Sequence, residues 1–298
     1  MTAPRMVLPP IALPVRSIGG HMFDFSRQIA VMAIVNRTPD SFFDQGRTFA
    51  LDRAVAAAVQ AAADGADWVD IGGAPFAPGP EIALADELDR VIPVIEGLRA
   101  ESDVVISVDT FRPEVAAAAI EAGASVINDT TGIHDPRLAE VVADSGATLI
   151  ITHSLAEPRH PYPRPQYGDV AGEIAAFLSK RVDLARACGV PDERIILDPG
   201  HDLNKNTRQT LELTRRFGEI AALGFPTLAA VSNKDFVGES LGREKPDRLA
   251  GSLAAATVSV LLGARIVRMH NVASSVDAMR MVEAVLGWRE PVFETHNL

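Results

Sequence analysis

The sequence predicts an α/β fold, a (β/α)8 barrel of the TIM type with a short N-terminal hairpin, and three observations lead to it. Short β-branched apolar runs alternate with Ala- and Leu-rich stretches whose apolar residues recur at three- and four-residue spacing. Eight such strand–helix units in about 250 residues is the inventory of a closed barrel, and strict alternation implies parallel strands joined by right-handed crossovers. A doubly wound open sheet usually carries a glycine-rich first turn, and no GxGxxG follows Val35.

Taken in order, residues 1–27, containing LPVRSIGGHMFDFS, read as a hairpin segment closing the barrel bottom. Residues 28–290 read as the barrel itself and 291–298 as a tail. The strand runs are IAVMAIV (29–35), WVDI (68–71), VVISV (104–108), SVIN (125–128), TLIIT (148–152), RIIL (194–197), TLAAV (227–231) and RIVRM (265–269). Helical spacing occupies 51–64, 84–99, 113–122, 136–144, 171–188, 207–222, 246–262 and 275–286. Asp135-Pro136 opens one helix, while Gly65, Gly123, Gly146, Gly189 and Gly263 close others. The Pro-rich HPYPRPQYGD (160–169) reads as a long loop or lid.

Composition narrows the function. A net charge of −11 argues against a nucleic-acid surface, which needs a basic face, so an anionic ligand requires a local basic pocket. The single Cys188 can form no internal disulfide and fits a reducing cytoplasm. Pro4, Pro9, Pro10 and Pro14 interrupt any signal-peptide pattern, and no uninterrupted apolar run approaches the roughly 20 residues that span a membrane.

In such a barrel the C-terminal strand ends converge on one pocket. The residues there are Asn36, Asp70, Asp109, Asn128, His153, Asp198, the trio Ser232-Asn233-Lys234, and Arg268 with His270. Asp109, Asn128 and Asp198 could present donors and acceptors to a flat heterocycle, and Lys234, Arg268 and His270 could hold an anion. After the first strand, AIVNRTPDSFFDQG (33–46) breaks into a loop rich in side-chain oxygens, with Pro39 forbidding a helix. His153 and His160, seven apart across a proline loop, do not make a metal cage, and no nucleophile–base pair stands out. The pattern points to a planar ligand bearing a phosphate-type group.

The motifs NRTPDSFFDQG (36–46), VDIGG (69–73), ISVDT (106–110), VINDT (126–130), ILDPG (196–200), SNK (232–234), GSLAAA (251–256) and RMH (268–270) occur in the order of one family. From roughly Val31 to Val285 the chain resembles dihydropteroate synthase, a pterin-binding barrel enzyme of folate biosynthesis. The family joins p-aminobenzoate to a dihydropterin methyl diphosphate, expelling diphosphate with Mg²⁺ assistance. The resemblance implies that Asn36 helps place the diphosphate and its Mg²⁺, and that Asp198 accepts from the pterin 2-amino and N3–H groups. It also implies that Asn128 and Asp109 satisfy the remaining ring edge, that Lys234 reaches the carbonyl and N5, and that Arg268 and His270 bind diphosphate oxygens. A homodimer is implied too, with the helix at 246–262 a candidate face.

Three stretches depart from the family. Its Gly-Glu-Ser-Thr-Arg-Pro-Gly loop is GAPFAPG (73–79) here, with Phe76 and Ala77 in place of Thr and Arg. LDPGFGFGK becomes LDPGHDLNK (197–205), which leaves open whether His201 and Asp202 enter the pocket. Ser-Arg-Lys-Ser becomes SNKD (232–235), so Asn233 and Asp235 stand on the p-aminobenzoate side. Asp235 is expected to cap a helix there and to occupy the place of the benzoate carboxylate. These changes resemble a divergent second actinobacterial branch regarded as poor in or lacking the family's activity. The resulting expectation is a dihydropteroate-synthase-like protein that keeps a pterin and diphosphate pocket, with condensation weak or lost. The alternatives are a working dihydropteroate synthase and a non-catalytic pterin-binding or regulatory subunit.

Overall fold

Eight parallel strands close on themselves in the computed structural model of the chain, which describes residues 8–36, 46–75, 78–157, 159–162 and 164–296, with 46–50 as backbone only. The expectations placed on the loop at 37–45 and on Phe76 and Ala77 lie outside the described residues. Two short strands, β1 (Val15–Ile18) and β2 (His21–Asp24), pair antiparallel as the expected hairpin. The barrel strands are β3 (Ala30–Asn36), β4 (Trp68–Gly72), β5 (Val105–Asp109), β6 (Val126–Asp129), β7 (Thr148–Thr152), β8 (Ile195–Asp198), β9 (Leu228–Ala229) and β10 (Ile266–Met269). Neighbours follow chain order from β3 to β8, β9 pairs with β10, and β10 returns to β3. A parallel bridge between Leu197 and Thr227 closes the seam between β8 and β9.

The helices between them are α1 (Gly46–Ala63), α2 (Leu84–Glu101), α3 (Pro113–Glu121), α4 (Pro136–Ser145), α5 (Val170–Ala187), α6 (Thr207–Arg215), α7 (Phe217–Ala221), α8 (Asp235–Leu241), α9 (Leu249–Leu261) and α10 (Val272–Val285). Their signals are those of the sequence: Asp135 accepts from the Arg137 N–H ahead of α4, and Gly146 ends it at φ 84°. Two expected helices are subdivided. The stretch 207–222 breaks at Arg216 (φ −105°, ψ 19°), which seats Phe217 fully in the core. The stretch 246–262 begins only at Leu249, after a 3-10 turn over Lys245–Asp247 that carries Pro246. The strand expected over 227–231 shortens to two residues, with Thr227 joined to Leu197 only by an isolated bridge.

A period of two divides every strand. Met32, Trp68, Val105, Val126, Ile150, Ile196, Leu228 and Ile266 form one buried cluster inside the barrel, and Ile18, Phe23 and Phe25 of the hairpin segment enter it. Their neighbours along the strands, among them Val69, Ile106, Ile127, Leu149 and Leu197, face the helices in a separate cluster. The hairpin is tied down from several sides. Arg16 donates to the carbonyls of Glu193 at 2.8 Å and Ile195 at 2.7 Å, and His21 Nε2 lies 2.8 Å from the Asp103 carbonyl. Its turn needs glycine: Gly19 has φ 58°, and a Cβ there would lie 2.9 Å from Ser125 Oγ.

Candidate functional site

One step of two residues along the same inward face, the side chains turn polar. Trp68 is followed by Asp70, Val105 by Ser107, Val126 by Asn128, Ile196 by Asp198 and Ile266 by Arg268. Asp70 is fully buried and accepts three donors: Ser107 Oγ at 2.6 Å, Arg268 Nε at 2.7 Å and Asn128 Nδ2 at 3.2 Å. These bonds make it the hub of the site, a role that its place in VDIGG did not disclose. Its parity with Trp68 was the available signal.

The hub orients what surrounds it. Asn128 spends its amide N–H on Asp70, and its Oδ1 is left buried without a partner. Arg268, expected to grip a diphosphate, commits Nε to Asp70 and Nη2 to Asp109 Oδ2 at 3.2 Å. Burial pushes Asp109 up to about 7, against the pull of Arg268 and with the push of Asp70. Asp198 is also raised by burial, opposed by its bond from the Gly200 N–H at 2.7 Å and by the cations Lys234, Lys205 and Arg268. Lys234 is lowered by burial, with Asp202, Asp198 and Asp109 acting to hold its proton. The structure therefore brings Asp109, Asn128, Asp198, Lys234 and Arg268 into one electrostatic cluster. Asn36 stands at its rim, exposed at the end of β3, with Oδ1 so close to Gly72 that a Cβ there would meet it at 2.8 Å.

The loop after β8 is held by several buried contacts. Gly200 has φ 68° and passes so near the His153 carbonyl that no Cβ fits. Lys205 Nζ, buried and pushed down to about 7 by that burial, donates to the Gly200 and Leu203 carbonyls at 2.8 Å and to His153 Nδ1 at 2.9 Å. Burial, then Lys205, drives His153 to about 2, so it is a neutral supporting residue. Asn204, left-handed at φ 53°, accepts from Ser154 Oγ and the Leu155 and Ala156 N–H groups. His201 is fully buried in ring contact with Phe217 at 6.0 Å and Phe236 at 6.2 Å, and it forms no hydrogen bond.

Asp202 is what this loop delivers. Left-handed at φ 62°, it accepts from the Phe236 N–H at the start of α8 at 3.2 Å and from Thr210 Oγ1 at 3.1 Å. The expectation for Asp235 is thereby corrected. Asp235 is already the first helical residue, behind Lys234 at the cap position, so its carboxylate does not fold back on the following amides. Its side chain is 74% exposed and pairs with Arg248 Nη1 at 3.1 Å. Asn233, left-handed at φ 57°, is pinned by its backbone: its N–H donates to Ser252 Oγ at 3.0 Å and its carbonyl accepts from Arg248 at 2.9 Å. His270, which is exposed, bonds to Ser232 rather than to the Asp70 hub.

The pterin binding enzyme family matches residues 32–270 of the chain. A Mycobacterium tuberculosis protein named inactive dihydropteroate synthase 2 is 44% identical over 90% of this chain and 86% of its own. The dihydropteroate synthase of Synechocystis is 39% identical over 93% of this chain and 96% of its own. Among solved structures, the Xanthomonas albilineans dihydropteroate synthase with 4-aminobenzoic acid superposes with a TM-score of 0.85, at 39% identity over 91% of this chain and 98% of that one. The same enzyme in complex with 7,8-dihydropteroate gives a TM-score of 0.82 at 38% identity over the same shares.

Proposed function

Because this chain belongs to the family of pterin-binding enzymes, we propose that it holds a pterin or pterin-like ligand with a diphosphate beside it, and that condensation with p-aminobenzoate is weak or lost. The buried, unpartnered Asn128 Oδ1 supports the first half, since Asp70 fixes that acceptor where a ring N–H can meet it. Asp198 gives only Oδ1 to Gly200, which keeps Oδ2 for an amino or ring N–H. The dihydropteroate complex of the Xanthomonas albilineans enzyme supports the same ligand class.

Asp202 carries the second half. In the family that SNKD resembles, free backbone N–H groups at this helix start hold the carboxylate of p-aminobenzoate, and here the Phe236 N–H already bonds Asp202. A benzoate within about 4 Å of that carboxylate meets a like charge costing roughly 4 kcal/mol at an effective dielectric near 20. That is close to a thousandfold in affinity, of the order of ~10³. Asp235, whose neighbour Arg248 balances its charge, contributes less.

Asn36 suits Mg²⁺ as a single amide oxygen. No group of three or more His, Cys, Asp or Glu placed to hold a metal ion occurs among the described residues, and Mg²⁺ commonly completes its shell with water and phosphate oxygens. The metal would supply charge neutralisation on a departing diphosphate. The chain's own groups would orient the ring through Asp198 and Asn128 and face the anion with Lys234, Arg268 and His270, without a covalent intermediate. Among the described residues no helix is long and apolar enough to cross a membrane. A cytoplasmic homodimer is part of the same reading, covering Val258, Met281 and Val285, which are exposed on α9 and α10.

Calorimetry with a dihydropterin, followed by turnover with the dihydropterin diphosphate and p-aminobenzoate, tests both halves. The expected result is pterin binding with little turnover, and p-aminobenzoate binding at least about tenfold tighter in Asp202→Gly, or ~1.4 kcal/mol. Turnover at the rate of a working synthase would establish the second reading, an active dihydropteroate synthase, which the likeness to the Synechocystis enzyme favours. Pterin binding without turnover even in Asp202→Gly would identify a non-catalytic binding or regulatory subunit.

A further inference from the structure

Ser232 lies three residues beyond β9, on the inward parity of Leu228 and Ala230, and is 5% exposed. Its Oγ accepts the backbone N–H of His270 at 3.1 Å and lies 3.0 Å from Nδ1 of the same residue's imidazole. Two proton arrangements fit these distances. In one, the hydroxyl accepts the backbone N–H and donates its own hydrogen to Nδ1, so that every group is matched. In the other, Nδ1 carries the hydrogen, the hydroxyl accepts twice, and its own hydrogen finds no further acceptor among the described residues. A buried hydroxyl hydrogen left without a bond is costly, which favours the first arrangement.

We propose that Ser232 is a positioning residue that keeps His270 in the tautomer with its hydrogen on Nε2, so that the exposed edge of the ring offers an N–H donor to a phosphate-class anion at the barrel mouth. For the anion the inference rests on the diphosphate reading above; for the tautomer it rests on the two Ser232 distances alone. The charges around the ring agree. Desolvation against the strand ends, with the cations Arg268, Lys234 and Lys245, pushes His270 down to about 4. The acids nearest Arg268, Asp70 and Asp109, are already engaged by its guanidinium. His270 therefore gives directionality without a further positive charge, and the full cations Lys234 and Arg268 supply the attraction.

Imidazole-labelled protein reads the tautomer directly by nitrogen NMR, with His270→Gln assigning the signal. The expected wild-type pattern is a protonated Nε2 and a bare Nδ1 from about pH 6 to 8. Ser232→Ala should give a mixture of tautomers, and Ser232→Thr, which keeps the hydroxyl, should restore the wild-type pattern. Titration with sodium diphosphate should weaken by about three- to tenfold in Ser232→Ala and stay near wild type in Ser232→Thr. A hydrogen on Nδ1, or an imidazolium at neutral pH, overturns the inference in the wild-type protein itself, with no dependence on a variant folding. The expected tautomer without any diphosphate binding overturns the anion reading and leaves the role of Ser232 standing.

Discussion

The two ends of the barrel are built from the same strands, two residues apart, and solve opposite problems. At the N-terminal end Met32, Trp68, Val105 and Ile266 meet Phe23 and Phe25 of the hairpin segment, with Phe23 set edge-on to Trp68 at 5.6 Å. At the C-terminal end the inward positions are Asp70, Ser107, Asn128, Asp198 and Arg268. The apolar end gains from the apolar surface it buries, with Trp68 Nε1 the polar atom left there without a partner among the described residues. The polar end recovers its desolvation only where a donor meets each acceptor, as Ser107, Asn128 and Arg268 do around Asp70. At the polar end Asn128 Oδ1 is left unmatched beside the hub, where a ligand donor would complete the set. Stability and recognition are thus separated along each strand.

That separation can be broken from either end. Trp68→Ala at the apolar end should cost about 3–5 kcal/mol of stability in urea unfolding, because Trp68 is fully buried and its cavity cannot fill from the hairpin side. A loss below about 1 kcal/mol would mean that the plug carries little of the fold. Asp198→Asn at the polar end should behave in reverse. It replaces a buried carboxylate that burial already disfavours, so stability should hold or rise, while dihydropterin binding should weaken by about 2–4 kcal/mol. Calorimetry paired with the same urea unfolding separates the two outcomes, and unchanged affinity would put the ligand elsewhere.

A third effect, at most about 1.4 kcal/mol within any one pH unit, sharpens the comparison through pH. Asp109 titrates near 7 in the folded chain and near 3.8 as an ordinary aspartate. Between those values the native state keeps a proton that the unfolded chain has released, so its contribution to stability falls as pH rises, by at most about 1.4 kcal/mol per pH unit. Asp109→Asn should flatten that fall between about pH 4 and 7. An identical slope in both proteins would show that the Arg268 contact outweighs burial.

The barrel itself was legible because periodicity is local. Runs such as WVDI and VVISV returned as Trp68–Gly72 and Val105–Asp109, and the strand-end rule found most of the cluster. Asp70 was among those strand-end residues but carried no assigned role, because it sits mid-strand, where only the parity shared with Trp68 separates an inward acid from an outward one. Asp202 and Asp235 were a harder case. Both are aspartates of rebuilt loops, 33 positions apart by their numbers. Which one reaches the start of α8 depends on left-handed turns at Asp202 and Asn204 and on the Lys205 anchor, which no pattern of spacing encodes. The subdivision at Arg216 has the same origin, since apolar spacing continues across that break, whereas the start at Leu249 follows a turn that Pro246 signals in the sequence.

The plugged bottom also bears on the order in which the molecule can assemble. Arg16 is held by the carbonyl of Ile195, 179 positions later, and Arg265 Nε donates to the carbonyl of Phe25, 240 positions earlier. The first barrel strand, β3, closes against the last, β10. During synthesis the hairpin segment precedes the barrel, and although Trp68 and Val105 follow it soon, its bonds to Ile195 and Arg265 wait on loop closure across most of the chain. Until then Phe23 and Phe25 can meet only the part of their cluster that the early strands supply, Met32, Trp68, Val105 and Val126, and the plug is complete only when β8, β9 and β10 join it.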